Sequence, residues 1–220
     1  MGPCSVVNDR FCAIKCNAPD DGQFSYLEYD KSDHNLSSLY QCGLYNGNSN
    51  IYYHFGKNTF ISINMTKTTC SNPCYRFLRT QFKINFCCFI SNGKDEMDFS
   101  IMNHGLTSES FIKKSIYKNN TAIHLIDCEF ETVLYISECI FIQNKVEYVF
   151  SYFGAQSFVV INCTGDNLTV YSDNINTDQM KTDPFSITFT HISLGECNPD
   201  PLFYLGQTSK INHNKNYRRR

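Results

Sequence analysis

The chain has 220 residues, a formal net charge of −2 and only 18% charged residues, a balance that excludes wholesale nucleic-acid binding. Hydrophobic residues make up 42%, enough to fill a core, and 18 Phe, 14 Tyr, 23 Asn and 12 Cys stand against no Trp at all. That composition favours strands and turns, and the best helix former is confined to Ala13, Ala18, Ala122 and Ala155.

Residues 1–81 read as a cysteine-rich cap, or as irregular first coils of the array that follows. They contain Cys4, Cys12, Cys16, Cys42, Cys70 and Cys74, and a turn at Tyr45-Asn46-Gly47-Asn48. Two strands are expected over 50–55 and 59–64, joined by Gly56-Lys57-Asn58. The pairs Cys12/Cys16 and Cys70/Cys74, each with three residues between, have ligand spacing that zinc tolerates. Disulfides use the same residues and are the reading preferred for all six. No metal and no cofactor is expected. The first 20 residues hold no apolar signal-peptide core, and no run of 18 apolar residues is present to span a membrane. The compartment stays open: extracellular or cell-surface if the chain is a piece of a longer secreted protein.

Over 82–205 a repeat emerges. Cys139-Ile140-Phe141-Ile142-Gln143-Asn144 follows Ser115-Ile116-Tyr117-Lys118-Asn119-Asn120 by 24 residues, and Cys87-Cys88-Phe89-Ile90-Ser91-Asn92 lies 28 further back. The pattern is Cys/Ser, then Phe/Tyr two residues on, then Asn three beyond that. Cys163 continues it, with Gly165 and Leu168 degrading the later positions. A unit this short buries its apolar face only by stacking on a neighbour. The spacing therefore predicts an all-β, right-handed parallel β-helix of about 24 residues per coil. Its repeat ladders are Cys87, Ser115, Cys139 and Cys163; Phe89, Tyr117 and Phe141; and Asn92, Asn120 and Asn144. The Asn are expected to adopt the left-handed backbone conformation and to hydrogen-bond from coil to coil. Cys87, Cys128, Cys139 and Cys163 read as small buried hydrophobes. An insertion is expected over 171–184, and 206–220, ending Arg218-Arg219-Arg220, reads as a disordered polar basic tail.

Candidate chemistry is sparse. His104 and His124 are the histidines of the coil segments, and no spacing sets either beside a cysteine. The acids Asp127, Glu129, Glu131, Glu138 and Glu147 look like solvated coil surface rather than the convergent carboxylates of a glycosidase. Asp20-Asp21 lies away from the coils, and Asn103-His104-Gly105 only distantly resembles a Gly-His-Gly element. Sequons at Asn35, Asn64, Asn119, Asn162 and Asn167 are no more than this composition produces by chance. The aromatics Tyr52, Tyr53, Tyr148, Tyr152 and Phe153 either fill the core or form a binding face.

With these Cys-x-Phe motifs, Asn-rich turns and coil lengths, residues 82–197 resemble the cysteine-rich β-helix surface proteins of parasitic protists, trichomonads especially. The resemblance implies surface exposure and an adhesion-like role, with glycans or host or cell-surface proteins as partners. This chain departs from that pattern in showing no signal peptide and no anchor. Its expected function is a non-catalytic recognition module. The alternatives are a polysaccharide lyase or hydrolase on the same scaffold, or a truncated inactive fragment.

Overall fold

The computed structural model describes residues 5–17, 25–28, 31–43, 49, 51–69, 75–93, 109–129, 132–154 and 157–171, and for 99–104 the backbone. The expected insertion beyond Tyr171, the coils to 205 and the basic tail lie outside the described residues.

The described chain winds through seven coils of three strands. Coil 1 is β1 (Ser5–Asp9), β2 (Cys12–Ile14) and β3 (Ser25–Glu28). Coil 2 is β4 (Lys31–Asn35), β5 (Ser38–Tyr40) and β6 (Ile51–His54); coil 3 is β7 (Lys57–Ile61), β8 (Asn64–Thr66) and β9 (Tyr75–Leu78). Coil 4 is β10 (Gln81–Asn85), β11 (Cys88–Ile90) and β12 (Phe99–His104); coil 5 is β13 (Glu109–Lys113), β14 (Ile116–Lys118) and β15 (Thr121–Glu129). Coil 6 is β16 (Val133–Ser137), β17 (Ile140–Ile142) and β18 (Lys145–Phe153); coil 7 is β19 (Ser157–Ile161), β20 (Thr164–Gly165) and β21 (Val170–Tyr171).

The first strands of all coils form sheet A, the second strands sheet B and the third strands sheet C, each with seven strands in coil order. Neighbouring strands are parallel throughout the described residues, which defines a parallel β-helix, and parallel crossovers of this kind take the right hand. Ser5 pairs with Lys31 and Lys31 with Lys57, 26 residues apart each time; Lys57 pairs with Gln81 at 24 and Lys83 with Phe111 at 28; Glu109, Val133 and Ser157 follow at 24. The described residues of 5–81 are thus coils in the same three sheets, with no separate cap.

The core is a set of inward columns. In sheet A the column Asn8–His34–Phe60–Ile84–Ile112–Ile136–Val160 runs the length of the solenoid. In sheet B it is Ala13–Leu39–Met65–Phe89–Tyr117–Phe141. Phe89 stacks on Tyr117 with ring centroids 4.7 Å apart, and Tyr117 on Phe141 at 4.9 Å, one strand spacing per coil. Gly165 ends this column because a Cβ there would lie 2.5 Å from the Phe141 carbonyl oxygen; Leu168 packs into the vacated space. The interior is not uniformly apolar. In the early coils Ser32 Oγ donates to Asn58 Oδ1 (2.7 Å), and Asn58 Nδ2 donates to Thr80 Oγ1 (2.6 Å). Such buried groups persist only when paired.

Two corners in each coil explain the repeat motif. Between sheets A and B a single residue has positive φ: Arg10, Leu36, Ser62, Phe86, Lys114, Glu138 and Asn162. From coil 2 onward the side chain that follows is buried, and where it is Ser or Cys it reaches back across that residue. Ser37 and Ser115 donate to the carbonyls of Asn35 and Lys113 (2.8 and 3.0 Å); Cys87, Cys139 and Cys163 do the same to Asn85, Ser137 and Ile161 (3.3, 3.2 and 3.5 Å). Cys and Ser interchange here because the corner accepts a small side chain carrying one donor.

Between sheets B and C the positive-φ residues are Lys15, Gln41, Lys67, Ser91, Asn119 and Gln143. The expectation that Asn120 and Asn144 themselves take this conformation is corrected: it falls one residue earlier, which frees each Asn to point inward. Asn120 Oδ1 accepts from the Asn92 amide (3.0 Å), and Asn144 Oδ1 accepts from both the amide and Nδ2 of Asn120 (3.0 Å each). Each amide nitrogen then donates to the carbonyl of the sheet B column residue one coil back: Asn92 to Met65, Asn120 to Phe89 and Asn144 to Tyr117, at 2.9–3.0 Å. Thr68 extends the ladder, giving both its amide and its hydroxyl to Asn92 Oδ1.

Asn120→Leu leaves the Asn92 amide buried without its partner and removes a side-chain bond to the Phe89 carbonyl, so it is expected to destabilise the fold by roughly 1–3 kcal/mol. The exposed change Lys118→Leu on the adjoining strand should cost under about 0.5 kcal/mol. Urea unfolding of both variants checks this, and equal midpoints would refute the ladder's role.

Candidate functional site

Sheet C carries the most varied outer face. Its strands alternate, with Ile51, Tyr53, Tyr75 and Phe77 buried inward, while Tyr26, Glu28, Tyr52, His54, Arg76 and Leu78 face out in register. Tyr26 and Tyr52 are coplanar to 2° with centroids 5.0 Å apart, and the Arg76 guanidinium lies 5.5 Å from the Tyr52 ring. The Tyr26 hydroxyl donates to Glu28 Oε1 at 2.6 Å, and His54 Nδ1 lies 3.9 Å from the same oxygen. One edge of the sheet thus presents stacked aromatic edges beside a carboxylate and an imidazole.

Further along, the outer face folds on itself. The amides of Val149 and Phe150 both donate to the Thr169 carbonyl, at 3.0 and 3.1 Å, as in a β-bulge. Tyr148 and Phe153 lie on either side of it. A straight strand would set them about 16 Å apart. Instead Tyr171 stands 5.0 Å from Tyr148 and 5.2 Å from Phe153, and His124 lies within 6.0 Å of all three rings. Phe153 and Tyr171 are 37% and 43% exposed, so the cluster meets solvent.

Beside this cluster Asp127 shares the outward register with Ser151 and Tyr171, yet is fully buried. Ser151 Oγ donates to its Oδ1 at 2.5 Å, and its Oδ2 has no hydrogen-bond partner. Burial pushes its carboxyl up to about 7; the Ser151 hydroxyl pulls it back, and the neighbouring Glu129 carboxylate raises it further.

A second polar group lies inside the early coils. His34 Nε2 stands 2.6 Å from the Tyr53 hydroxyl and Nδ1 3.1 Å from Asn8 Nδ2, while Ser25 Oγ is 2.9 Å from the same hydroxyl. Burial lowers His34 to about 4, against the raising effect of Asp33, so the ring is neutral at physiological pH. This group closes the interior rather than facing a ligand.

The residues singled out in the sequence are distributed as follows. Tyr53 is fully buried; Tyr52, Tyr148 and Tyr152 are half-buried, and Tyr152 packs against the core. Cys12 is disulfide-bonded, but Cys16 and Cys42 carry free thiols, contrary to the disulfides expected for them. They occupy the corner position that Thr68 and the asparagines take in later coils, where Cβ atoms point in parallel rather than toward each other. Cys42 Sγ donates to the Ala13 and Tyr40 carbonyls at 3.5 and 3.6 Å, and burial pushes its thiol up to about 11. Cys4, Cys70 and Cys74 lie outside the described residues. Cys87, Cys128, Cys139 and Cys163 are buried free thiols, and burial raises Cys87 to about 12 and Cys128 and Cys139 well above the usual thiol range.

Among the described residues no three His, Cys, Asp or Glu side chains gather to hold a metal, and no helix is long and apolar enough to cross a membrane. Comparison with protein-family models, curated proteins and solved structures gives no match. The class of the molecule therefore rests on its own geometry: a parallel β-helix with an aromatic and acidic outer face on sheet C.

The two buried titratable groups act on stability in opposite senses. Asp127 binds its proton more tightly folded than unfolded, so its contribution grows as pH falls from about 7 toward 4. His34 binds its proton less tightly folded, so its contribution is lost as pH falls below its unfolded value near 6.5. Asp127→Asn removes only the first effect. The variant should unfold at higher urea than the parent at about pH 8, and the gap should close by about pH 4. A pH-independent difference would show that Asp127 does not titrate in this range.

Proposed function

We propose that this chain is a non-catalytic recognition module of a surface or secreted protein, and that it meets a glycan on the outer face of sheet C. The observation that carries the reading is the pairing of solvent-facing aromatic rings with carboxylates at both ends of one sheet. Tyr26, Tyr52, Glu28 and His54 form one set; Tyr148, Phe153, Tyr171 and Glu129 form the other. Sugar rings are recognised by apolar contact with aromatic side chains together with a few fixed polar groups that set orientation. The local acids favour neutral or amine-bearing sugars over sulfated or uronate ones. The Cys12 disulfide supports an oxidising compartment, as does the resemblance to protist surface proteins.

One observation favours a second reading, a polysaccharide hydrolase: Asp127, held protonated near neutrality, lies beside Glu129 on the same face. It is the weaker reading because both oxygens of Asp127 are shut away from solvent.

A glycan array with the full chain, followed by titration of the captured sugar, tests both. Tyr52→Ala or Phe153→Ala should weaken binding by about tenfold, the equivalent of ~1.4 kcal/mol, without lowering the melting temperature. Tyr135→Ala on sheet A should leave it unchanged. Retention of full affinity in both sheet C variants would sink the recognition reading. Release of new reducing ends, abolished by Asp127→Asn, would establish the hydrolase.

A further inference from the structure

The outer face of sheet A differs in charge from that of sheet C. Lys31 and Lys57 stand directly opposite each other in register, and Lys83 follows one coil on and two residues along, in register with Thr59. Arg79, at the corner leading into β10, is exposed at the same end of the sheet as Lys57. Among the described residues of this patch the acid is Asp33, which Lys31 already engages at 3.1 Å. Among the described residues, Lys57 and Lys83 are exposed and make no ion pair with a carboxylate. The outward positions between them are Thr59, Gln81 and Asn85, which add hydrogen-bonding groups without negative charge. Beyond the patch, Lys113 and Lys114 both bind Glu138, at 3.0 and 3.5 Å, and Glu109 is a further exposed acid of the same sheet, so among the described residues of sheet A the excess positive charge lies in coils 2–4.

Like charges directly opposite on neighbouring strands destabilise a sheet. Alternation of sign from coil to coil would remove that cost, and here it is not used. An anionic ligand lying along the solenoid axis would offset it. Lys31 and Lys57 stand one coil spacing apart, roughly 4.8 Å, and Lys83 lies one coil further and about 7 Å along the strand, so a chain bearing repeated anions can engage several at once.

We propose that the outer face of sheet A across coils 2–4 binds a polyanionic polysaccharide, sulfated or uronate-bearing, through Lys31, Lys57, Arg79 and Lys83. This site is separate from the aromatic face of sheet C and takes the opposite class of sugar. The two faces would let one module hold an acidic matrix polymer while reading a neutral glycan.

The test titrates the full chain with dextran sulfate, with unmodified dextran as the uncharged comparison. Dextran sulfate should bind and dextran should not, with affinity falling steeply between about 50 and 300 mM salt as counterions are re-bound. Lys57→Gln/Lys83→Gln should weaken binding at least tenfold with no fall in melting temperature. Lys15→Gln/Lys118→Gln, an equal loss of exposed charge on the sheet B side, should have under twofold effect. No binding, or equal losses in the sheet A and sheet B variants, would overturn the proposal. So would equal affinity for single-stranded DNA or for phosphatidylserine vesicles, since the face would then be a general anion surface.

Discussion

A chain that turns twice per coil through a left-handed residue must find partners for the backbone groups it exposes inside the corner. Here backbone amides of the neighbouring coil and, in most coils, the side chain of the next residue supply them. At the first corner a hydroxyl or thiol bonds the carbonyl two residues back, as in Ser115 to Lys113 and Cys139 to Ser137. At the second, Asn92, Asn120 and Asn144 link the amide of one coil to the carbonyl of another. With these corners satisfied, strands of only three residues can form a sheet B, and the aromatic column Phe89–Tyr117–Phe141 can stack behind it. Without the second-corner bonds, buried amides such as those of Asn92 and Asn120 would lie unpaired, each costing about 1–3 kcal/mol.

The same corner chemistry explains why the interior changes character along the axis. In coils 1–3 the inward columns include Asn8, His34, Ser32 and Asn58, tied together and to Tyr53 and Thr80 by hydrogen bonds. In coils 5–7 the sheet A column is Ile112, Ile136 and Val160, all fully buried. Cross-section is therefore held constant by ladders of unlike chemistry. The outside is freer to vary, because most outward positions do not pack in the core. Sheet C uses that freedom for aromatics and acids, sheet A for lysines.

The repeat in coils 4–7 was legible because Cys87, Ser115, Cys139 and Cys163 keep one small residue type in one phase, and so do the aromatics and asparagines. In coils 1–3 the equivalent corner positions hold Phe11, Ser37 and Ile63, and Cys16, Cys42 and Thr68. Backbone hydrogen bonding tolerates these, so the architecture persists while the motif vanishes. The left-handed corners were hidden for a related reason: they are filled by Arg10, Leu36, Phe86, Lys114 and Glu138, none of which announces positive φ. The candidate site was legible only in part. Tyr52, Tyr148 and Phe153 stood out by type, but Tyr53 stood out equally and lies in the core. Asp127 looked like a surface acid because nothing near it in sequence reports its burial.

Taken alone, the amino-acid order determined the period, the parallel β architecture and the stacking partners of the later coils, since all three follow from identical side chains recurring at one spacing. Tertiary structure decided which face each residue takes, where the left-handed residues fall, and that Tyr148, Phe153, Tyr171 and His124 meet. That convergence depends on a bulge at Val149 and Phe150 created by a carbonyl 19 residues further on, in the next coil. A bond between coils has no counterpart in local sequence, because the energy that makes it belongs to the stack.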